Sequence, residues 1–595
     1  MSENAAQTQA AGQPVQTPPD FPITWNDPSD AKLTWIFSSA IKEPVPALVE
    51  AVAKAFLEGG NAGYEMVELP IRVRVELFNT YQYFGMVPVD APPEVVMKGM
   101  GLLNRAAPGV FKSIMKKMGE GMSKKSEAVL DPLVARLEPY WCEELLPEIQ
   151  QHLAYFESSD LRGLSLNQLQ AHMTEALKRT SRLGELHGIA LLLMLYGLSQ
   201  FEEFYTELFP GSTTLDALRL TQGLDNKTVA GDRALWRLSR TARSIPEVQA
   251  ILTSQEPETV IAALEASTEG QSFLSDLRTW LAEYGRRLNS VFSFLEPSWI
   301  EDPTPAIRNL QAYVTQVEAR PEMAPAMLAA EREQAITEAR AKIAAYPQPV
   351  KDRFEMLLKA GQMATIVHED HNFWIDQRFI YQIQRLILEF GRRYVQAGIL
   401  ETTYDVFYLT PEELQNGRQT NYKKKIEERK ATLAHFSQVA APPMIGTAPP
   451  FDMTDTVAVI RAIFKGEVAQ PSDSQPGANM VQGLAGSAGL IRGTARVLHS
   501  LTDAKKLQPG DILITVATEP PWTPLFATAA AVVTDNGGVL SHTAVVAREY
   551  RIPAVVGTGR ATSTFQDGQL IEVDGNAGIV RVVVEEAQRE PVLVG

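Results

Sequence analysis

The sequence predicts a multidomain chain: a large, mostly α-helical region followed by a small α/β domain. Two observations carry that expectation. From Phe21 to about Ala440, apolar residues recur at three- and four-residue spacing, the period of a helix with one buried face. From about Gln482 to Val584, short runs rich in Val, Ile and Leu alternate with helical connections, as in an α/β layer. The texture changes between them, where Ala441-Pro-Pro443, Ala448-Pro-Pro450 and Gln470-Pro-Ser-Asp-Ser-Gln-Pro476 bracket the apolar segment Val457 to Phe464. Proline-rich chain of this kind forms a semi-rigid spacer.

In chain order, the first twenty residues are rich in Ala, Gln, Thr and Pro and lack the basic and apolar regions of a signal peptide. They are expected to form a disordered tail. Helices are expected over Pro46 to Glu58, Asp131 to Tyr155, Leu166 to Leu183 and Gly188 to Leu208, with punctuation at Pro210-Gly211 and Pro257. The run Gly188 to Tyr196 is too short for a bilayer, which takes about 20 apolar residues, and reads as a buried helix. A further amphipathic helix carries Phe379, Ile383, Leu386, Ile387, Phe390 and Tyr394 on one face and stops at Gly398. Strands are expected at Ala495 to Leu498, Ile512 to Val516, Ala530 to Thr534, Pro553 to Val556, Leu570 to Val573 and Ile579 to Val584.

Within that α/β part, the stretch Val533 to Val556 holds the chemistry. It reads as a buried strand, a tight turn at Gly537-Gly538, a helix capped by Ser541, and a stop at Ile552-Pro553 before the next strand. His542 then stands at a helix N-terminus, where free N–H groups and the helix dipole favour an anion. Its imidazole, with an ordinary pKa of about 6.5, is a nucleophile at neutral pH. A histidine at a helix start can also be purely structural, and the local pattern alone leaves both readings open.

The surrounding residues resemble the swivelling phosphohistidine domain of the phosphoenolpyruvate-utilising enzymes. Their pattern Gly-Gly-x-x-Ser/Thr-His-x-Ala-x-x-Ala-Arg-Glu-x-x-Ile-Pro-Ala-Val is matched from Gly537 to Val555, with flanking likeness at Gly510-Asp511, Pro521 to Leu525, Asp567-Gly568 and Val573-Asp574-Gly575. The resemblance implies that His542 is phosphorylated and that Gly537, Gly538, Ser541 and Thr543 position the phosphate. A second, weaker resemblance, to the substrate domain of the rifamycin phosphotransferases, rests on Tyr284 to Arg287, Glu296 to Pro303 and Asp405 to Leu414. Composition and the two resemblances together give the expected organisation: a disordered tail over 1–20, an acceptor-binding helical region of one or two subdomains over 21–440, a Pro-rich hinge linker over 441–481, the phosphohistidine domain over 482–585 and a tail over 586–595.

The densest titratable cluster, Thr365 to Asp376, lies in the helical region. His368 and His371 share a helix face and are candidate general bases for an acceptor hydroxyl; a hydrogen-bonded helix surface is the alternative. Glu369, Asp370 and Trp374 are candidate substrate contacts. The antibiotic phosphotransferases place an arginine and a lysine where this chain has His368 and Asn372, so the cationic pair is not carried over. No ligand set completes a metal site from His-x-x-His and its carboxylates, so none is assigned.

Composition narrows the partners. The net charge of −16 gives no support to nucleic-acid binding, and the basic clusters Lys112 to Lys125 and Lys423 to Lys430 read as solvated helix faces or a partner surface. The single cysteine, Cys142, rules out an internal disulfide framework and fits a cytoplasmic setting, and no membrane partner is expected because the longest apolar run is too short for a bilayer. No Gly-rich phosphate loop or alternating strands of a nucleotide domain are seen in the helical part. No bound cofactor is therefore expected on this chain alone; ATP and Mg are expected on a separate ATP-grasp subunit. That division of labour resembles the phosphohistidine carrier subunit of phenylphosphate synthase, and implies a phosphotransferase acting on a small aromatic hydroxyl compound such as phenol. Alternatives are a split antibiotic or other hydroxyl-compound phosphotransferase, or a noncatalytic phosphocarrier or regulatory module.

Overall fold

The computed structural model describes residues 14–38, 41, 43–89, 95, 99, 102–103, 106–315, 320–416, 422–448, 479–499, 501–518, 522–539 and 541–583. The helices used below are, in chain order, α1 (Ala47–Gly59), α2 (Leu166–Leu208), α3 (Lys227–Ser244), α4 (Gln348–His371), α5 (Ile380–Gln396) and α6 (His542–Glu549). A π-helical segment, Asn372–Phe379, joins α4 to α5. Two compact units result, each discontinuous in sequence: 1–200 with 286–298 and 370–466, and 201–285 with 299–369 and 467–595.

Within the region expected to be mostly helical, the first unit contains a sheet that the helical reading did not include. Strands β1 (Thr34–Phe37), β2 (Ile71–Phe78), β3 (Tyr81–Pro88) and β4 (Met444–Gly446) pair antiparallel in the order β2-β3-β1-β4. The correction has a local cause. Ile71-Arg-Val-Arg-Val-Glu-Leu-Phe78 alternates at the strand period, and Asn79 and Thr80 both adopt positive φ, 51° and 68°, as a two-residue hairpin turn matching the strand twist demands. Phe21, Trp35, Phe78, Tyr83 and Ile445 close the core of this sheet. Part of the expected linker is therefore strand: β4 lies within it, while 449–478, including both Val457 to Phe464 and the Gln470 to Pro476 stretch, are outside the described residues. Likewise the expected tail is paired at its end, with Val15 N–H donating to the Gly446 carbonyl at 2.8 Å; residues 1–13 and 584–595 are outside the described set.

The helices follow their periodicity. The two expected segments between Leu166 and Leu208 form one helix, α2. It packs against α1 with no room for a side chain at Gly184, where a Cβ would lie 2.0 Å from the Phe56 carbonyl oxygen. Helix α5 buries the apolar face read from its spacing and ends where Gly398 turns left-handed at φ 71°.

In the second unit, β5 (Met480–Gln482), β6 (Leu484–Ser487), β7 (Leu490–Val497), β8 (Ile512–Thr515), β9 (Ala531–Thr534), β10 (Ala554–Val556), β11 (Leu570–Asp574) and β12 (Ile579–Val582) form one sheet ordered β5-β12-β11-β7-β8-β9-β10-β6. Its centre, β7 to β10, is parallel, and the flanking pairs are antiparallel. Helix α6 is the crossover from β9 to β10, so His542 sits beyond the carboxyl end of β9, where open α/β sheets bind ligands. Among the described residues, no helix is long and apolar enough to cross a membrane.

Candidate functional site

The loop from β9 to α6 fixes His542. Gly537 has φ 114°, and a Cβ there would approach the Ser541 hydroxyl oxygen to 2.9 Å, so the turn requires glycine on both counts. Ser541 is the N-cap, its hydroxyl accepting the Ala544 N–H at 3.4 Å. From the far end of α6, Arg548 reaches back to donate to the carbonyls of Gly486 at 2.7 Å and Val539 at 2.9 Å. Its burial pushes the guanidinium down to about 10.

The His542 ring is held on two sides. Nδ1 lies 3.6 Å from Glu369 Oε2, and Nε2 lies 3.3 Å from Thr523 Oγ1. Glu369, 2% exposed, is shared: its Oε1 is 3.0 Å from His368 Nδ1, and Oε2 accepts the Thr228 hydroxyl at 2.7 Å. Burial works against the Glu369 charge. The adjacent imidazoles of His542 and His368 overcome it and hold the carboxyl well below the usual carboxylate range.

A small pocket opens beside this group, lined among others by Thr228, Asp232, Glu369, Thr523, Glu549 and Tyr550. Asp232 accepts from the hydroxyls of both Tyr313 and Tyr550, which are 3.1 Å apart. Burial, aided by that carboxylate, drives the Tyr313 phenol well above its ordinary range. Glu549 accepts the Gly223 N–H at 3.0 Å, and its burial pushes the carboxyl up to about 7 against the pull of Gly223 and Arg548. One wall thus holds an ionised acid and another an acid poised near neutrality.

The structure brings together some of the residues singled out from sequence and separates others. Glu369 meets both His542 and His368. Gly538 has open space where a Cβ would be, so geometry demands glycine only at Gly537. Thr543 is buried, with its hydroxyl 2.8 Å from that of Thr518 rather than turned to the loop. Asp370, His371 and Trp374 belong to the first unit. Each step along an α-helix turns about 100°, so Glu369 and Asp370 face different surroundings. His371 has its ring 5.1 Å from that of His187, and Trp374 is engaged by Arg378 above its ring at 5.3 Å. Thr228 and Thr523 were not singled out. Thr523 lies inside the Pro521 to Leu525 stretch that marked the domain, whereas Thr228 arrives from α3 with no local signal. Among the described residues, the one His, Cys, Asp or Glu group whose donors could converge on a metal is His187, His371 and Asp376.

Comparison with known proteins agrees with the two sequence resemblances. The family described as PEP-utilising enzyme, mobile domain, matches residues 507–578, and the rifampicin phosphotransferase fourth domain matches residues 189–367. The chain is 36% identical over 97% of its length to part of chondramide synthase from Chondromyces crocatus, covering 14% of that protein. It is 28% identical over 65% of its length to an uncharacterized phosphotransferase, YvkC, of Bacillus subtilis, covering 45% of it. Against a rifampicin phosphotransferase of Bacillus cereus, identity is 29% over 59% of the chain and 39% of the relative. The chain therefore spans less than half the length of each of these relatives.

Proposed function

From the matches to the PEP-utilising mobile domain and to the rifampicin phosphotransferase fourth domain, we propose that His542 is a phosphoryl carrier serving transfer to a hydroxyl acceptor. The observation that carries this reading is the buried, ionised Glu369 between His368 and His542. A carboxylate at Nδ1 selects the tautomer with its proton there and leaves the Nε2 lone pair for attack. Nε2 bonds to phosphorus as the donor's leaving group departs with its electron pair. In the second half, the acceptor oxygen bonds to the same phosphorus, the N–P bond breaks, and Nε2 regains its lone pair. The acceptor proton passes to His368, which Glu369 steadies as an imidazolium. First-turn N–H groups of α6 stabilise the transferred charge.

For the finer assignment, the phosphoryl group comes from ATP, with Mg, on a separate ATP-grasp subunit, and the acceptor is a small aromatic hydroxyl compound such as phenol. This is the reading suggested by the likeness to the phenylphosphate synthase carrier. A second reading is favoured by the match running through 97% of the chain to part of a synthase: the acceptor is then a hydroxyl on a larger compound assembled by such an enzyme. The test is acid-labile labelling from ATP carrying a β-phosphate label, with and without an ATP-grasp partner, on the native chain and His542→Ala. Label that requires the partner, is absent from the variant and is chased by phenol supports the first reading. Label chased only by larger hydroxyl compounds supports the second. No label under any condition overturns the carrier role.

A further inference from the structure

We propose that His187, His371 and Asp376 form a binding site for one divalent metal ion of the zinc class. The three residues belong to the first unit and come from three elements: His187 from α2, His371 from the end of α4 and Asp376 from the π-helical segment after it. Their donor atoms all lie within 4.8 Å of one another. Side-chain exposure is 5% for His371, 9% for Asp376 and 21% for His187, so the group is set inside the protein.

The backbone explains the convergence. Five residues separate His371 from Asp376, a spacing that leaves two side chains on different faces of an α-helix. The π-helical segment is wound on i to i+5 hydrogen bonds and brings that spacing back to one face. Such segments are rare and often occur at functional sites. Across from them, the His187 ring is set by the Phe56 ring at 5.2 Å.

The distances fit an ion held between the groups. Metal–ligand bonds of about 2.0–2.2 Å in a tetrahedral arrangement put donor atoms roughly 3.3–3.5 Å apart. His187 Nδ1 is 3.0 Å from Asp376 Oδ1 and His371 Nε2 is 3.9 Å from Asp376 Oδ2, and one donor atom from each residue lies within 4.8 Å of the others, so a small inward adjustment of the side chains reaches that spacing. Two imidazoles and one carboxylate are a donor set for zinc or ferrous iron rather than for magnesium or calcium, which take oxygen ligands. The bound ion ties α2 to the segment between α4 and α5 and adds its binding free energy to the fold. This inference does not depend on the carrier role of His542.

The experiment uses the full chain, stripped with a chelator and titrated with Zn(II) against a chromophoric competitor, then with Co(II) as a spectroscopic probe. The expected result is one Zn(II) per chain, a Co(II) visible spectrum of nitrogen and oxygen ligation, and a Zn(II)-dependent rise in melting temperature. His371→Gln and Asp376→Asn are each expected to weaken binding by more than the roughly 10–100-fold that outer-sphere partners are worth. The exposed His435→Gln is expected to retain it. Wild-type protein that takes up no stoichiometric Zn(II) overturns the proposal, as does equal binding by folded His371→Gln. Should both ligand variants fail to fold, the wild-type stoichiometry and Co(II) spectrum decide the matter.

Discussion

Glu369 and Asp376 lie a short way apart in sequence, and each carboxylate stands between two imidazoles. Glu369 sits with His368 and His542, Asp376 with His187 and His371. Their settings separate their roles. Glu369 lines a pocket beside hydroxyls and touches His542 at the glycine turn that opens α6, the group to which the carrier proposal assigns phosphoryl transfer. Asp376 is gathered by a change of helix winding into the interior, where a proton or an ion is the natural occupant. One donor set does different work according to what the backbone leaves open around it.

The comparison breaks first at Glu369→Gln. An amide at that position no longer fixes the His542 tautomer, and the rate of His542 labelling is expected to fall on the order of 10²-fold or more. Asp376→Asn is expected to leave that rate within about twofold, as read by single-turnover phosphorylation of both variants. Equal loss in the two would abolish the distinction.

The next effect is on stability and has opposite signs at two acids in the second unit. Glu549, raised to about 7 by burial, ionises in the unfolded chain before it does in the folded one. Its stabilising contribution is complete below about pH 4.5, is lost between there and about pH 7, and is constant above, for a total of about 3 kcal/mol. Glu369, held low, has the reverse sign: its contribution is present above the ordinary carboxylate pKa and is lost as pH falls through its folded value. Denaturant titrations at pH 5 and pH 8 are expected to show Glu549→Gln abolishing most of the decline across the neutral range.

Smaller again is the contrast within the turn. Gly537→Ala meets both a positive φ and the Ser541 side chain, and is expected to cost about 1–3 kcal/mol. Gly538→Ala is expected to change stability by less than about 0.5 kcal/mol, which thermal melts distinguish. If labelling nonetheless drops in folded Gly538→Ala, close approach of phosphate is the reason for that glycine. Thr523→Val should give the least effect, slowing labelling about two- to fivefold through loss of one neutral hydrogen bond.

The extent to which these features were readable from sequence follows their range along the chain. The strand runs of the α/β domain, the Ser541 cap, the turn at Gly537 and the stop at Gly398 are local, and local pattern gives them. The β2–β3 hairpin is equally local, since Ile71 to Phe78 alternates cleanly, but it lies inside a neighbourhood whose dominant period is helical. His187 as a third partner for His371 and Asp376, and Thr228 as a partner for Glu369, depend on contacts between distant segments, which no spacing rule contains. His368 and His371 engage different partners for a subtler reason. Three residues leave about 60° between side chains, enough to give each its own neighbours where elements crowd from several sides.

The pairing of β4 with β1 also sets a clock. Thr34 donates its hydroxyl to Thr447, 413 residues later. At roughly 5–20 residues per second of synthesis, the ribosome takes on the order of 20–80 s to deliver that partner. Throughout that interval Trp35 lacks the strand edge that completes its sheet, while the β2–β3 hairpin, closed by Asn79 and Thr80, is available within moments of emerging. A nascent chain of this protein therefore carries a finished hairpin and an open β1 edge until residue 446 leaves the exit tunnel.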